Sequence, residues 1–189
     1  MTGLPFVVIR GPALVGKTAV SRALAGRLPG NAAIISQDDL WWRAIARHDA
    51  NLADEAELVY RQMKLLASTY IRARYAVVVD GAFALYRGGV AATHDSDLRD
   101  LLGLVSTVPN VRPLLVALTA PLDVLLERAR ESERSLHGES PSARDAAAVE
   151  ALYRAFEASG LPAALTLETS AATPDEAADR ILDHLGARR

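Results

Sequence analysis

The chain has 189 residues, of which 50% are hydrophobic and 23% charged, and it carries a formal net charge of −2. This length and composition predict a single domain spanning residues 1–189. The small net charge gives no overall reason to expect nucleic acid or an anionic membrane as a partner. The absence of cysteine excludes disulfides, thiolate catalysis and thiolate metal sites. Since the sequence shows no targeting segment and no run of about eighteen apolar residues, we expect a soluble cytoplasmic protein.

Residues 11–18 read Gly-Pro-Ala-Leu-Val-Gly-Lys-Thr and match the phosphate-binding pattern G-x-x-x-x-G-K-[ST] at every fixed position. The apolar run at residues 6–9 predicts a buried strand before this loop, and residues 18–28 predict a helix after it. A strand, a glycine-rich loop and a helix N-terminus together present backbone N–H groups to phosphate. We predict that Lys17 bridges the β- and γ-phosphates and that the Thr18 hydroxyl ligates Mg²⁺. The residues predicted to bind the nucleotide here are Gly11, Pro12, Ala13, Val15, Gly16, Lys17, Thr18 and Ala19.

A second strand is predicted at residues 32–36, and two acids, Asp38 and Asp39, follow its end. Because ligands of parallel sheets bind at the carboxyl edge of the strands, Asp38 is predicted to lie near the chemistry, with Asp39 as the competing candidate for the base. A carboxylate in line with the γ-phosphate can orient an acceptor hydroxyl and take its proton. Asp39 equally suits the N-terminus of a helix. Of the adjacent Trp41 and Trp42, we expect one in the core and one on the wall of a substrate pocket, the alternative being two structural tryptophans.

A carboxylate at the end of a third strand points to a metal. Residues 52–73 predict a long amphipathic helix, and the apolar run at residues 75–80 predicts a strand that ends in Asp80. Downstream of a phosphate loop, an acid in this place holds Mg²⁺ or its water shell, so Asp80 joins Thr18 as a predicted metal residue. Shortly after it, Arg87 is a candidate contact to the substrate or a phosphate, with a surface position as the alternative.

The rest of the chain continues the alternation of strands and helices. The predicted elements are helix 98–105, strand 111–119, a helix from residue 121, helix 142–159, strand 164–169 and a helix from residue 173. The last helix has the clearest start, because Thr173 is followed by Pro174 and then by Glu176. With right-handed crossovers, the five strands predict a doubly wound parallel α/β sheet with helices on both faces.

Three arginines lie at the end of the helix that begins near residue 121. Arg128, Arg130 and Arg134 lead into a polar segment, residues 132–142. Arginines that close over a nucleotide neutralise charge on the transferring phosphoryl group and exclude water. We therefore predict a short arginine-bearing lid in which Arg128 and Arg134 act in catalysis and Arg130 binds the nucleotide. The alternative is a salt-bridged helix end, because glutamates are interleaved with these arginines.

The phosphate loop, Asp38, the run ending in Asp80 and residues 120–128 together resemble the P-loop small-molecule kinases. Within that class the chain is most similar to chloramphenicol phosphotransferase and related antibiotic-modifying kinases, over nearly its full length. The resemblance implies an ATP- or GTP-dependent kinase that uses Mg²⁺ and phosphorylates a hydroxyl of a small molecule such as an antibiotic. It also implies that Asp38 is the base on the acceptor hydroxyl. The spacing of arginines and acids around Arg128 departs from the family, which leaves the acceptor open.

Two other functions remain open from the sequence. One is a kinase of a sugar nucleotide or of a nucleic-acid end, and the other is a nucleotide-binding switch without transfer activity. The absence of an Asn-Lys-x-Asp motif, and of x-x-Gly after Asp80, argues against a signalling GTPase. The chain is also too short for the helical lid and sensor motifs of a ring-forming ATPase. The expected partners are a nucleotide and a small-molecule acceptor, and a homo-oligomer is compatible with the sequence.

Overall fold

The computed structural model describes residues 3–46, 52–87, 90–134 and 145–186. The elements in chain order are β1 (Leu4–Arg10), α1 (Lys17–Ala25), β2 (Ala32–Ser36), α2 (Leu52–Arg72), β3 (Ala76–Gly81), β4 (Ala84–Arg87), β5 (Val90–Thr93), α3 (Asp95–Ser106), β6 (Val111–Thr119), α4 (Leu122–Arg134), α5 (Ala146–Ala158), β7 (Leu165–Glu168) and α6 (Pro174–Leu185). A short π-helical turn, Asp39–Arg43, lies between β2 and α2.

Five parallel strands form the main sheet in the order β2-β3-β1-β6-β7. The central strand is β1, whose Ile9 lies opposite Asp80 of β3 on one side and Val116 of β6 on the other. Because the chain goes from β1 to one side of the sheet and later to the other, the loop after β1 lies at the point where the strand order reverses. The predicted doubly wound, five-stranded parallel sheet is confirmed.

Helices cover both faces of this sheet, as the continuous apolar character of the strands requires. Val7 and Ile9 of β1 point to the face covered by α1, α4, α5 and α6. Phe6 and Val8 point to the opposite face, which packs against α2 and α3. In the part of the chain that the structure describes, no helix is both long enough and apolar enough to span a bilayer.

An antiparallel hairpin of β4 and β5 follows the main-sheet strand β3, and the sequence analysis did not predict it. Ala84 pairs with Thr93, and Tyr86 pairs with Ala91. Each strand has only four residues, so neither gives a long enough alternating pattern to be recognised. The connecting residues 88–89 lie outside the described residues. The hairpin packs against α5, which brings these two elements together beside the end of β3.

Several predicted helix ends were wrong by a few residues. α1 ends at Ala25, before the predicted residue 28: Gly26 is its C-cap, and the Arg27 and Leu28 N–H groups both bond the Leu24 carbonyl in the turn that follows. α5 is described from Ala146, where the Asp145 side chain caps it, and the predicted start at residue 142 lies outside the described residues. The predicted start of α6 is confirmed by a complete capping box, in which Thr173 and Glu176 each bond the other's backbone N–H.

A buried ion pair joins the end of β1 to α3 and α5. Arg10 is 3% exposed, and its Nη1 lies 3.7 Å from Asp95 Oδ1 at the start of α3. The Phe156 ring of α5 covers the guanidinium at 4.9 Å, and Ser159 donates a hydrogen bond of 2.7 Å to Asp95 Oδ2. Burial lowers the pKa of Arg10, and the Asp95 carboxylate opposes that fall. These contacts fix two helices to the strand that carries the phosphate loop.

Replacing Asp95 with alanine is expected to lower the free energy of unfolding by about 3 kcal/mol, because Arg10 then keeps a buried charge without its counter-ion. Chemical denaturation measures this change. The control is Asp100→Ala on the same helix, whose carboxylate pairs with Lys64 at the surface. A loss below about 1 kcal/mol is expected there. Equal losses in the two variants would contradict the role assigned to the buried pair.

Candidate active site

The phosphate loop, residues 11–18, is shaped by three unusual backbone positions. A Cβ on Gly11 would lie 2.5 Å from the Leu118 carbonyl oxygen, so only glycine fits where the loop leaves the sheet. Leu14 and Gly16 both have positive φ, at 63° and 96°. Gly16 is the N-cap of α1, and the first turn of a helix leaves its N–H groups without intrahelical partners. The loop therefore directs backbone donors and a helix N-terminus toward the ligand edge of the sheet.

Two consecutive carbonyl groups of the loop are held from outside. Arg128 Nη1 donates to the Leu14 oxygen at 3.1 Å, and its Nη2 donates to the Thr169 oxygen at 2.7 Å. Thr169 follows β7, is 5% exposed, and donates its hydroxyl to the Val15 oxygen at 2.9 Å. Carbonyl groups fixed in this way do not turn into the space where phosphate oxygens would be repelled. The sequence analysis missed Thr169, because it lies far along the chain from the loop.

Lys17 lies across the loop that it belongs to. Its Nζ donates to the Pro12 carbonyl oxygen at 2.9 Å. Its ammonium group also acts on Asp80, where it opposes the effect of burial on the pKa of that carboxyl. The lysine thus lies against its own loop, close enough for its charge to act on the metal candidate Asp80, and its contact to phosphate remains a prediction.

Asp80 is a buried carboxylate whose hydrogen bonding is incomplete. It is 2% exposed at the end of β3, and its Oδ2 lacks a hydrogen-bond partner among the described residues. Burial raises the pKa of Asp80. The Ser36 and Ser21 hydroxyls lie near the carboxyl and oppose the rise of its pKa. An orphaned buried oxygen of this kind fits a Mg²⁺ ion or one of its waters, with the half-buried Thr18 hydroxyl as the second predicted ligand.

The metal site would depend on the nucleotide as well as on the protein. The described residues contain no group of three or more His, Asp or Glu side chains that could hold a metal by themselves. Mg²⁺ is usually bound by one or two protein ligands, several waters and the phosphates of a substrate. The sparse donor set of Thr18 and Asp80 therefore fits an ion that arrives with a nucleotide.

The structure separates the two acids after β2. Asp39 lies in the π-helical turn, and its Oδ1 pairs with Arg43 Nη1 of the same turn at 3.0 Å. Asp38 is exposed at the N-terminal end of that turn. Burial is the main cause of the raised pKa values of Asp80 and Tyr60, and the charge of Asp38 adds to both. Asp38 is thus close enough for its charge to act on the predicted metal carboxylate, while Asp39 pairs with Arg43 within the turn.

The two tryptophans differ sharply in burial. Trp41 is 2% exposed and belongs to the core with α2, whereas Trp42 is 37% exposed. Their ring centroids lie 6.2 Å apart. Trp41 is therefore the core tryptophan of the pair, and Trp42 lies at the surface. The roles of Trp41 and Trp42 toward a substrate remain predictions.

Gln37 is a functional candidate that the sequence analysis missed. Its side chain is buried, donates to the Tyr60 hydroxyl at 3.2 Å and accepts the Phe83 N–H at 3.0 Å. Tyr60 in turn stacks on Phe83 at 5.9 Å. Because Gln37 directly precedes Asp38, these bonds fix the backbone from which the Asp38 carboxylate projects. The glycine at position 81 was the sequence signal for this close contact, because a Cβ there would lie 2.4 Å from Gln37 Oε1.

The predicted lid is described only in part. Arg130 pairs with Glu127 at 2.9 Å on the surface of α4, as the alternative of a salt-bridged helix end expects. Arg134 ends α4, but its side chain and the segment 135–144 lie outside the described residues, as does the side chain of Arg87 in β4. Catalysis by Arg128 and Arg134, nucleotide binding by Arg130 and substrate binding by Arg87 therefore remain predictions.

The sequence matches the AAA domain family over residues 6–159. The chain belongs to this family. The match includes the phosphate loop, Asp38, Asp80 and the whole of α4. A search of curated proteins gave no significant match.

Solved structures with the same fold include several small-molecule kinases. The tunicamycin resistance protein of Deinococcus radiodurans has a TM-score of 0.64 at 19% identity, over 98% of this chain and 97% of that chain. The APS kinase of Mycobacterium tuberculosis, in complex with AMPPNP and APS, has a TM-score of 0.64 at 18% identity, over 98% and 99%. A gluconokinase of Sinorhizobium meliloti has a TM-score of 0.59 at 19% identity, over 98% of both chains. These likenesses confirm the P-loop kinase fold and the resemblance to P-loop small-molecule kinases.

Gly81→Ala is expected to lower the free energy of unfolding by about 1–3 kcal/mol, because the added Cβ displaces Gln37 from the Phe83 N–H. Gly103→Ala is the matched control, since Gly103 lies in α3 and a Cβ there meets nothing within 4 Å. This control is expected to gain about 0.5–1 kcal/mol from helix propensity. Urea denaturation of both variants measures the two changes, and effects of the same sign would contradict the packing described at Gly81.

Asp80→Asn is expected to raise stability and weaken Mg²⁺-dependent nucleotide binding. Since burial raises the pKa of Asp80, the folded protein binds this proton more tightly than the unfolded chain. Stability therefore falls as pH rises from the unfolded to the folded pKa, and the variant lacks this loss. Melting curves at pH 5 and pH 8 measure the first effect. Calorimetry measures the affinity for the nucleotide in the presence of Mg²⁺, which is expected to fall by about 10–100-fold. If Asp80→Asn is less stable than its parent at pH 8, burial does not destabilise the ionised Asp80 carboxylate.

Proposed function

We propose that this chain is a nucleotide-dependent phosphotransferase that moves the γ-phosphoryl group of ATP or GTP to a hydroxyl of a small molecule. The single observation that carries the proposal is the exposed Asp38 carboxylate, which acts electrostatically on the buried Asp80 beside the phosphate loop. A base and a metal carboxylate on neighbouring strands are the two groups that in-line phosphoryl transfer needs. Hydroxyl-bearing antibiotics are the first acceptor class to test, in keeping with a role in resistance or self-protection.

The donor half of the proposed reaction uses the phosphate loop and the metal residues. Backbone N–H groups of the loop and the N-terminus of α1 would hold the phosphates, and Lys17 would bridge the β- and γ-groups. Thr18 and Asp80 would hold Mg²⁺, which supplies charge neutralisation at the γ-phosphate when bound. Because the Lys17 ammonium already acts on Asp80, the phosphate and metal positions are adjacent.

The acceptor half would lie between the π-helical turn and the hairpin. Asp38 would accept a hydrogen bond from the acceptor hydroxyl and take its proton as the phosphoryl group is transferred. Trp42 offers an exposed aromatic ring on the same turn, suited to an acceptor with an apolar or ring-shaped part. The Gln37 hydrogen bonds to Tyr60 and Phe83 keep this half in a fixed place relative to β3.

The structural relatives support a small acceptor. They include a protein of tunicamycin resistance, an APS kinase crystallised with AMPPNP and APS, and a gluconokinase. Each shares the fold over almost the whole chain, so the acceptor region of this chain is built on the same framework as theirs. An RNA repair complex also contains a similar domain, with a TM-score of 0.60, and nucleic-acid ends therefore belong in the same test.

A screen tests the proposal directly. The purified protein is incubated with Mg²⁺ and ATP or GTP against hydroxylated antibiotics, metabolites, sugar nucleotides and oligonucleotide ends, and mass spectrometry detects a phosphorylated product. A neutral acceptor should react almost independently of salt, whereas a nucleic-acid acceptor should react less as salt rises. Nucleotide binding without any phosphorylated product would instead favour a switch. Lys17→Ala is the inactive control.

With the acceptor found in the screen, Asp38→Asn is expected to lower kcat by about 10²–10⁴-fold, because the amide cannot take the hydroxyl proton. Nucleotide affinity should not change, since the proposed nucleotide contacts are made by the loop, Thr18 and Asp80. Asp39→Asn is the matched control: it removes only a surface pair with Arg43, and kcat should stay within about twofold. Steady-state kinetics of the three proteins decide between the two acids, and full activity of Asp38→Asn would remove Asp38 as the base.

A further inference from the structure

We infer that Arg128 and Thr169 are positioning residues of the nucleotide site, which set its affinity for phosphate by fixing the loop from behind. We call these two residues the carbonyl clamp. The inference builds on the nucleotide binding in the proposed function. It assigns Arg128 a role different from the catalytic contact that the sequence suggests, and it assigns a role to Thr169, which the sequence analysis did not consider.

The clamp holds two neighbouring carbonyl groups of the loop. Arg128 donates to the Leu14 oxygen at 3.1 Å, and the Thr169 hydroxyl donates to the Val15 oxygen at 2.9 Å. Both oxygens would repel phosphate if the peptide groups rotated. A peptide group that turns its oxygen away from a ligand turns its N–H in the opposite direction. Fixing these oxygens on the outside therefore keeps the loop in the form that presents donors to the phosphates.

The loop has a specific need for this support at Leu14. Its φ of 63° lies in the left-handed region, which is strained for a residue with a branched side chain and a Cβ. A strained residue of this kind persists only when its surroundings hold it. The Leu14 carbonyl oxygen accepts the Arg128 hydrogen bond, so the clamp holds the loop at the residue whose backbone conformation is strained.

The clamp is anchored on the sheet and is linked within itself. Thr169 is 5% exposed, and its hydroxyl also lies 3.2 Å from the Thr119 carbonyl oxygen at the end of β6. The Thr169 N–H donates to that same oxygen at 2.9 Å. Arg128 donates its second bond to the Thr169 carbonyl at 2.7 Å. The position of α4 is in this way tied to the loop through one buried residue.

Thr169→Val is the decisive variant, because it removes one donor, keeps the shape and changes no charge. Calorimetry measures binding of Mg²⁺-ATP, Mg²⁺-ADP and Mg²⁺-tripolyphosphate, the last of which has no base or sugar. We expect all three to weaken by the same factor, about fivefold to tenfold for one lost hydrogen bond. Thr169→Ser retains the hydroxyl and should bind like the parent. Arg128→Met should weaken all three ligands as well.

The pattern across ligands separates the clamp from direct contacts. Loss of ATP and tripolyphosphate binding in Arg128→Met, with ADP binding unchanged, would place Arg128 on the γ-phosphate and overturn its positioning role. Weaker binding of ATP and ADP with unchanged binding of tripolyphosphate would place Arg128 on the base or the sugar, which would also overturn its positioning role. Unchanged affinities in Thr169→Val would overturn the clamp. If Arg128→Met fails to fold, Thr169→Val and Thr169→Ser still test whether the clamp sets the affinity for phosphate.

Controls distinguish failure of the clamp from failure of the proposed function. Arg154→Met removes an exposed arginine whose ion-pair partner among the described residues is Glu150 on α5, and it should bind all three ligands like the parent. Lys17→Ala should lose phosphate binding while it still folds, and a melting curve checks that it is folded. If the parent protein binds none of the three ligands, both the proposed function and the clamp are refuted. If Lys17→Ala loses binding while Thr169→Val does not, only the clamp is refuted.

Discussion

The structure depends on keeping the carbonyl groups of one loop turned away from its ligand edge. Gly11 brings the loop so close to the Leu118 carbonyl that no side chain fits, and Gly16 turns it into α1. Between them, Leu14 takes a left-handed conformation that bulky residues avoid. Contacts from α4 and from the end of β7 hold that conformation. The most local motif of the sequence is therefore stabilised by residues more than a hundred positions away.

The parallel sheet brings residues from other strands next to this loop. All five main strands point the same way, so the residues after β1, β2 and β3 meet at one edge. Asp80 is buried there at a cost to its ionised form, and Lys17 reduces that cost. Gln37 links β2, α2 and the start of the hairpin through two hydrogen bonds. A buried polar network with satisfied partners gives such an edge one defined geometry.

The sequence predicts the parts of this protein whose signals are local. The phosphate loop, the five main strands and the capping box at Thr173 all follow from short patterns. The hairpin was missed because its strands are too short to show a period. The partners of the loop were missed for another reason: Thr169 is one of many surface-like threonines until the fold brings it under Val15. Contacts between distant segments leave no periodic trace in the chain.

The two tryptophans of the chain both lie in the five-residue turn Asp39–Arg43. All tryptophan fluorescence therefore comes from one place, immediately after Asp38. Trp41 is shielded from aqueous quenchers, whereas Trp42 is open to them. An acceptor that covers Trp42 would leave the Trp41 signal in place and remove the quenchable part. If an acceptor binds at Trp42 as proposed, the native emission of this protein reports that binding without an added label.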